Sequence, residues 1–251
     1  MPKNVQIMPV CNIGEVHAGE NVATLLLQAL AAQGDSLVDG DVVVVTQKIV
    51  SKAEGRVVIV EDIEPSSFAH AIAAQGNKDA HHYEIVLRES RRIVRMDRGV
   101  LITETHHGLI CANSGVDESN VDGGRAVTLL PVDPDGSADA IRADIREQTG
   151  AEVAVIISDS FGRAWREGQV NIAIGVSGML PLTNYAGQED NYGYMMKASN
   201  LAVADELASA AELVMGKTDA VPIAIVRGFA YQPGDGRAHM LLRAPEKDMF
   251  R

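Results

Sequence analysis

The chain has 251 residues, of which 46% are hydrophobic, and its 34 acidic against 22 basic side chains give a formal charge of −12. Such a chain can bury a substantial core, in one large unit or two intertwined smaller ones, and its acidic balance excludes a general nucleic-acid surface, which needs clustered Lys and Arg. Its apolar runs fall far short of the roughly 20 residues of a membrane span and residues 1–10 lack the long apolar stretch of a signal peptide, so a cytoplasmic location without membrane contact is expected.

Strand-like runs alternate with helical patterns, which points to an α/β fold, with α+β as the alternative. Residues 21–32 read as an amphipathic helix with Leu25, Leu26, Ala29 and Leu30 on its apolar stripe and Gly34 as its stop. Asp39-Gly40-Asp41 turns the chain into the β-branched run 42–45, a buried strand. A short strand at 57–60, a helix capped by Ser66 or Ser67 and reaching about residue 74, and a helical pattern at 83–89 follow. Further on come a helix at 138–148 capped by Asp135 or Ser137 and ended by Gly150, a strand at 153–158, a helix at 201–215 and a strand at 222–226. Strand order and domain boundaries do not follow from this pattern. Cys11 and Cys111 have no CxxC spacing and read as buried reduced thiols.

Three segments carry chemistry. Residues 112–120, ANSGVDESN, form a loop after an apolar run, in which Asp117 and Asn120 offer hard oxygen ligands for Mg²⁺ or Mn²⁺; the alternative is a hydrogen-bonded Asx turn. In VIISDSFGRAWR, residues 155–166, Asp159 and Ser160 sit where a buried strand is expected to give way to a loop, the usual place for ligands in α/β proteins. There Asp159 and Ser160 can reach a metal and Arg163 and Arg166 can neutralise phosphate, or the pair can simply cap the next element. In TQKIVSKAEGR, residues 46–56, Lys48 and Lys52 share a face if the segment is helical, which suits an anion held between them or two exposed lysines. The crowd of Arg88, Arg91, Arg92, Arg95 and Arg98 is either an anion site or a solvated face. AELVMGKT, residues 211–218, imitates a P-loop but lacks its first glycine and follows a helix instead of opening one, so a Walker-type NTPase is rejected.

Taken together, VVVVTQKIVSKAEGR, LICANSGVDESNV, LLPVDPDGSADAIR, VIISDSFGRAWREGQVNIAIGVSG and VADELASAAELVMGK resemble the coenzyme F420-0:gamma-glutamyl ligase family in order and spacing. The resemblance implies a two-part mixed-sheet α/β architecture that is neither a P-loop nor a Rossmann fold. The whole of 1–251 would be a single ligase unit working as a homodimer, without the nitroreductase-like domain of longer members. It also implies GTP-dependent addition of L-glutamate to the carboxylate of F420-0 through an acyl phosphate, with a second, gamma-linked glutamate in many cases. By that similarity Asp117, Asp159 and Ser160 hold Mg²⁺ or Mn²⁺, with K⁺ as a further candidate ion. Around the nucleotide it places Ile13, Gly14, Glu15, Val16, Gln47, Lys48, Lys52 and Asn120, and a closing loop of Met215, Gly216, Lys217, Thr218, Asp219, Ala220 and Val221. Three departures stand out: Lys217 where some members have an acidic metal ligand, Ser114 for a common Ala, and Gln188 and Tyr194 for two arginines. A ligase acting on a different phosphorylated cofactor, and a non-catalytic deazaflavin-binding protein, are the alternatives.

Overall fold

A computed structural model describes residues 4–119, 124–197 and 199–249. Its main body is a five-stranded sheet in the order β1 (Gln6–Val10), β12 (Ile223–Arg227), β2 (Val42–Thr46), β8 (Ala154–Arg163), β9 (Arg166–Ser177). Only β2 and β8 run parallel; the other three pairings are antiparallel. The uninterrupted valines of β2 are explained by helices on both faces. Val43 and Val45 join Val155, Ile157, Ile223 and Ile225 under α1 (Val22–Gln33) and α5 (Pro134–Thr149). Val42 and Val44 join Ala154, Ile156, Ala224 and Val226 under α6 (Val203–Met215). Burying each such side chain contributes about 1.5–3 kcal/mol, so both faces of the strand favour this three-layer arrangement. The architecture is therefore α/β with a mixed sheet.

The helix ends follow local chemistry. Asn21 caps α1 by accepting from the Thr24 N–H at 2.8 Å, and Gly34 ends it in the left-handed conformation that glycine favours. The helix placed at 138–148 starts a turn earlier than the sequence suggests, because Asp133 accepts from the Gly136 N–H at 3.0 Å and Pro134 fills the first turn, where its missing N–H costs nothing. The strand placed at 153–158 likewise runs on through Asp159 and Ser160 to Arg163, continued by antiparallel pairing with β9.

A second body is inserted between α2 (Gln47–Ala53) and α5. It pairs β3 (Val57–Ile59) with β7 (Ala126–Thr128), stacks α3 (Ser67–Ala73) on α4 (Ala80–Arg88), and folds β4 (Ser90–Asp97), β5 (Val100–Thr105) and β6 (Ile110–Ala112) into an antiparallel sheet. Tyr83 is the centre of its core, fully buried among Ala69, Ile72, Val86 and Leu101 with its hydroxyl donating to Gly99 O at 2.9 Å. The helical pattern seen at 83–89 belongs to α4, which begins earlier because Asp79 accepts from the His82 N–H. The arginine crowd is paired with carboxylates: Arg88 with Glu84 at 2.9 Å, Arg92 with Glu104 at 2.7 Å, and Arg95 and Arg98 with Asp97 at 4.0 and 3.8 Å. It is a solvated charged face.

A short pair, β10 (Thr183–Asn184) with β11 (Asn200–Leu201), precedes α6. Both cysteines are free and half-buried, more open than the buried thiols expected. Among the described residues no helix is long and apolar enough to cross a membrane.

Candidate active site at one edge of the mixed sheet

The pairing register brings distant segments to one edge. Val10 lies opposite Ile223, Ile223 opposite Val45, and Thr46 opposite Ser158, while the Thr46 N–H donates to Pro222 O at 2.9 Å. The loop leaving β1, the start of α2, the Asp159-Ser160 step of β8 and the loop from α6 to β12 therefore meet. In the first loop Ile13 and Val16 are buried anchors and Gly14 and Glu15 lie exposed between them. In the last, Met215 is buried and residues 216–220 are exposed. Gly216 has a positive φ, and a side chain there would collide with the Asp219 carboxylate, so the loop's tight exit from α6 needs glycine.

Helix α2 sends its polar side chains separate ways. Gln47 is buried and accepts from Ser51 Oγ at 2.8 Å. Lys48 Nζ lies 2.8 Å from Asp117 Oδ2, and Lys52 Nζ lies 2.5 Å from Glu15 Oε1. The two ammonium groups are thus each matched with a carboxylate.

Asp117 is delivered by the inserted body. Asn113, Ser114 and Gly115 are three successive left-handed residues, with φ of 52°, 54° and 70°, a costly run that needs surrounding support. Support comes from the buried Ser114 hydroxyl, 2.7 Å from both Ser90 Oγ and Thr103 Oγ1. Asp117 then exchanges two backbone hydrogen bonds with Thr128, and its Oδ1 accepts from the Ser119 N–H at 2.7 Å. Burial works to raise its pKa, yet the hydrogen bonds from Lys48 and Ser119 outweigh it and hold the carboxyl below its ordinary range. Asn120 lies outside the described residues.

Asp159 has the opposite balance. Burial, joined by the negative charge of Asp117, pushes it up to about 6, against the opposing pull of the Ser160 N–H, Lys217 and Lys48. The same surroundings act on Cys111, whose thiol is raised to about 12 by burial and by Asp159, so it is not an activated nucleophile.

Because β8 continues as a strand, Asp159 and Ser160 project to opposite faces. Ser160 faces α6, where a closed polar ring forms. Its hydroxyl donates to Asn171 Oδ1 at 2.7 Å, the Asn171 amide donates to Glu212 Oε2 at 2.7 Å, Lys217 Nζ lies 3.2 Å from Glu212 Oε1, and Lys217 returns to Ser160 Oγ. Arg163 and Arg166 are not brought to this edge. They close the β8–β9 hairpin, four residues or about 13 Å of strand beyond Asp159, with Arg163 turned onto the carbonyls of Glu167 and Gly168 and Arg166 exposed.

Sequence reasoning missed Asn171, Glu212 and Ser119. Asn171 was detectable as a buried amide inside the apolar run VNIAIGVS, and Glu212 as an acid near a helix C-terminus, where the macrodipole disfavours it.

Asp117 and Asp159 fit a hard divalent ion, since both offer carboxylate oxygens and the charge of one disfavours ionisation of the other until a cation intervenes. Among the described residues no group of three His, Cys, Asp or Glu side chains closes on a metal. Other ligands of that ion would be water or oxygens of a bound anion, since Ser160 projects to the opposite face of β8.

The sequence model of the F420-0:Gamma-glutamyl ligase family matches residues 11–228, a span that contains every side chain described at this edge. The chain is similar to the coenzyme F420:L-glutamate ligase of Methanothermobacter thermautotrophicus, with 48% identity over 239 residues and 94% of each chain covered. It is 45% identical over 214 residues to the protein of that name from Methanocaldococcus jannaschii, covering 85% of each. With the one from Methanopyrus kandleri it shares 42% identity over 252 residues, covering 98% of each.

Proposed function

The chain belongs to the F420-0:gamma-glutamyl ligase family, and from that premise we propose that it joins L-glutamate to the carboxylate of F420-0 at the expense of GTP. A carboxylate is a poor electrophile, so the reaction proceeds in two steps. An oxygen of the F420-0 carboxylate takes the γ-phosphoryl group, the bond from that phosphorus to the β-phosphate oxygen breaks, and GDP leaves. The glutamate amine then attacks the acyl carbon, the carbon–oxygen bond to phosphate breaks, inorganic phosphate leaves and the amine releases a proton to solvent. A second, gamma-linked glutamate follows by the same route.

In this reading the loop of Ile13 to Val16, the α2 residues Gln47, Lys48 and Lys52, and the loop of Met215 to Val221 surround the nucleotide, and the lysines donate to its phosphate oxygens. Asp117 and Asp159 would hold one Mg²⁺ or Mn²⁺ and Ser160, on the other face of β8, would contribute to a further cation, and that charge would screen the polyphosphate. The observation that supports it best is the juxtaposition of Asp117 and Asp159 with Lys48 and Lys217 at one sheet edge, within the span matched by the family. The reading includes a homodimer, which sedimentation equilibrium tests.

Mass spectrometry of F420-0 incubated with protein, GTP, L-glutamate and Mn²⁺ should show products heavier by one or two glutamyl residues, dependent on each component. Product with ATP but not GTP would change the nucleotide, and no product with either would sink the proposal. A different phosphorylated acceptor is a second reading, favoured by Gln188 and Tyr194 in place of two arginines of the family pattern. Both lie in a loop folded around Asp190, where Tyr192 is 96% exposed; ligation to an acceptor analogue but not to F420-0 would select it.

A further inference from the structure

All three protons of the Lys48 ammonium are committed: Asp117 Oδ2 lies at 2.8 Å, Ser119 O at 2.7 Å and Ser119 Oγ at 2.6 Å. Asp117 is equally engaged, since its other oxygen accepts from the Ser119 N–H at 2.7 Å. On the opposite face of β8, Lys217 occupies Ser160 Oγ and neutralises Glu212. Two of the three side chains read as metal ligands thus carry an internal ammonium group.

We propose that Lys48 is an internal counter-ion of Asp117 that makes the binding of a divalent cation and of a polyphosphate depend on one another. The proposal rests on the reading of this edge as a metal and nucleotide site. A cation arriving alone must take Asp117 Oδ2 from Lys48, whose side chain is only 19% exposed, and leaves that ammonium short of a charged partner in a poorly solvated place. When polyphosphate arrives with the cation, its oxygens accept the Lys48 protons that Asp117 gives up. The exchange replaces one charge-assisted hydrogen bond by another. Each ligand then strengthens the other by the same factor, as linkage requires.

The test is the affinity for Mn²⁺, read from the electron paramagnetic resonance of the free ion, with and without a non-hydrolysable GTP analogue, in wild type, Lys48→Met and Lys48→Arg. Direct coordination of phosphate to the ion raises affinity whatever Lys48 does, so the deciding comparison is Mn²⁺ alone. Lys48→Met frees Asp117 and should bind bare Mn²⁺ about tenfold more tightly than wild type, within the usual range of coupling factors, while the enhancement by the analogue shrinks. Lys48→Arg keeps the competing charge and should resemble wild type. Adding Asp117→Asn to Lys48→Met should abolish the gain, and circular dichroism guards against misfolding. Bare Mn²⁺ binding that is no tighter in Lys48→Met than in wild type overturns the coupling alone, provided Mn²⁺ and the analogue do bind. If neither binds wild type, the site reading falls and the coupling with it.

Discussion

Lys52 Nζ lies 2.5 Å from Glu15 Oε1 and so ties α2 to the loop that leaves β1. The pair spans two segments read as walls of one nucleotide site and braces that loop; in that reading Lys52 would also donate to phosphate. Lys52→Ala should raise the KM for GTP more than that for glutamate, with a smaller change in kcat. Steady-state kinetics with each substrate varied in turn checks this; equal effects on both KM values would remove Lys52 from the nucleotide side.

Asp159 tests the metal assignment. Asp159→Asn keeps the shape of the side chain and removes the charge that a hard cation needs, so ligation should be lost. Its folded state should not suffer, because burial and Asp117 already disfavour the charged form. Thermal melts in metal-free buffer at pH 7 should give a Tm equal to or above that of wild type. Wild-type turnover, or a collapsed Tm, would contradict the role given to it.

Asn171 joins β9 to α6 through the ring. Asn171→Ala removes a buried amide and leaves the half-buried Ser160 hydroxyl without its acceptor and Glu212 without its amide donor, a loss of about 1 kcal/mol. Urea unfolding should show a lower midpoint at an unchanged slope, and an unchanged midpoint would mean that the ring adds nothing to stability.

Glu84 provides an acid-side test away from the site. The Ser66 side chain first, then the Ser66 N–H and Arg88, hold its carboxyl at about 2, below the ordinary 4.5. A depressed folded pKa means that the stabilisation is fully present above about 4.5 and is lost as pH falls towards 2. Glu84→Gln should therefore be less stable than wild type near neutrality, by about 1 kcal/mol for a partly solvated charged hydrogen bond. The gap should close between pH 4.5 and 2. A gap that is constant with pH would show that the effect is steric.

Several elements were legible because their determinants are local. Asn21 and Gly34 bound α1 through hydrogen bonds and a φ angle that depend on residues three or four apart. The run 42–45 declared a buried strand, since four β-branched side chains need cover on both faces. Asp117, Asp159 and Lys48 could be named as chemistry for the same reason, as groups of the right type beside apolar runs, whereas Lys217 was marked only by the family resemblance. Where local signals compete, neighbours resemble one another: Asp135 and Ser137 are cap-like residues but Asp133 does the capping, and the polar DS pair resembles the end of a strand that cross-strand pairing carries on to Arg163.

Which charge meets which belongs to the tertiary structure alone. The spacing of Lys48 and Lys52 fixes that they lie one turn apart, but Asp117 and Glu15 reach them from an inserted body and from the loop after β1. Nothing in the chain between these residues records the contact. Loop closure depends only weakly on length, so partners are chosen by the shape of the sheet edge and by Coulomb attraction through space. The ring of Ser160, Asn171, Glu212 and Lys217 is the same case, because β8, β9 and α6 must be packed before four polar groups from them can close on one another. Composition and local pattern therefore decide what the elements are and which groups they carry, while packing decides the direction in which Asp159 and Ser160 point and the ammonium groups that Asp117 and Ser160 meet.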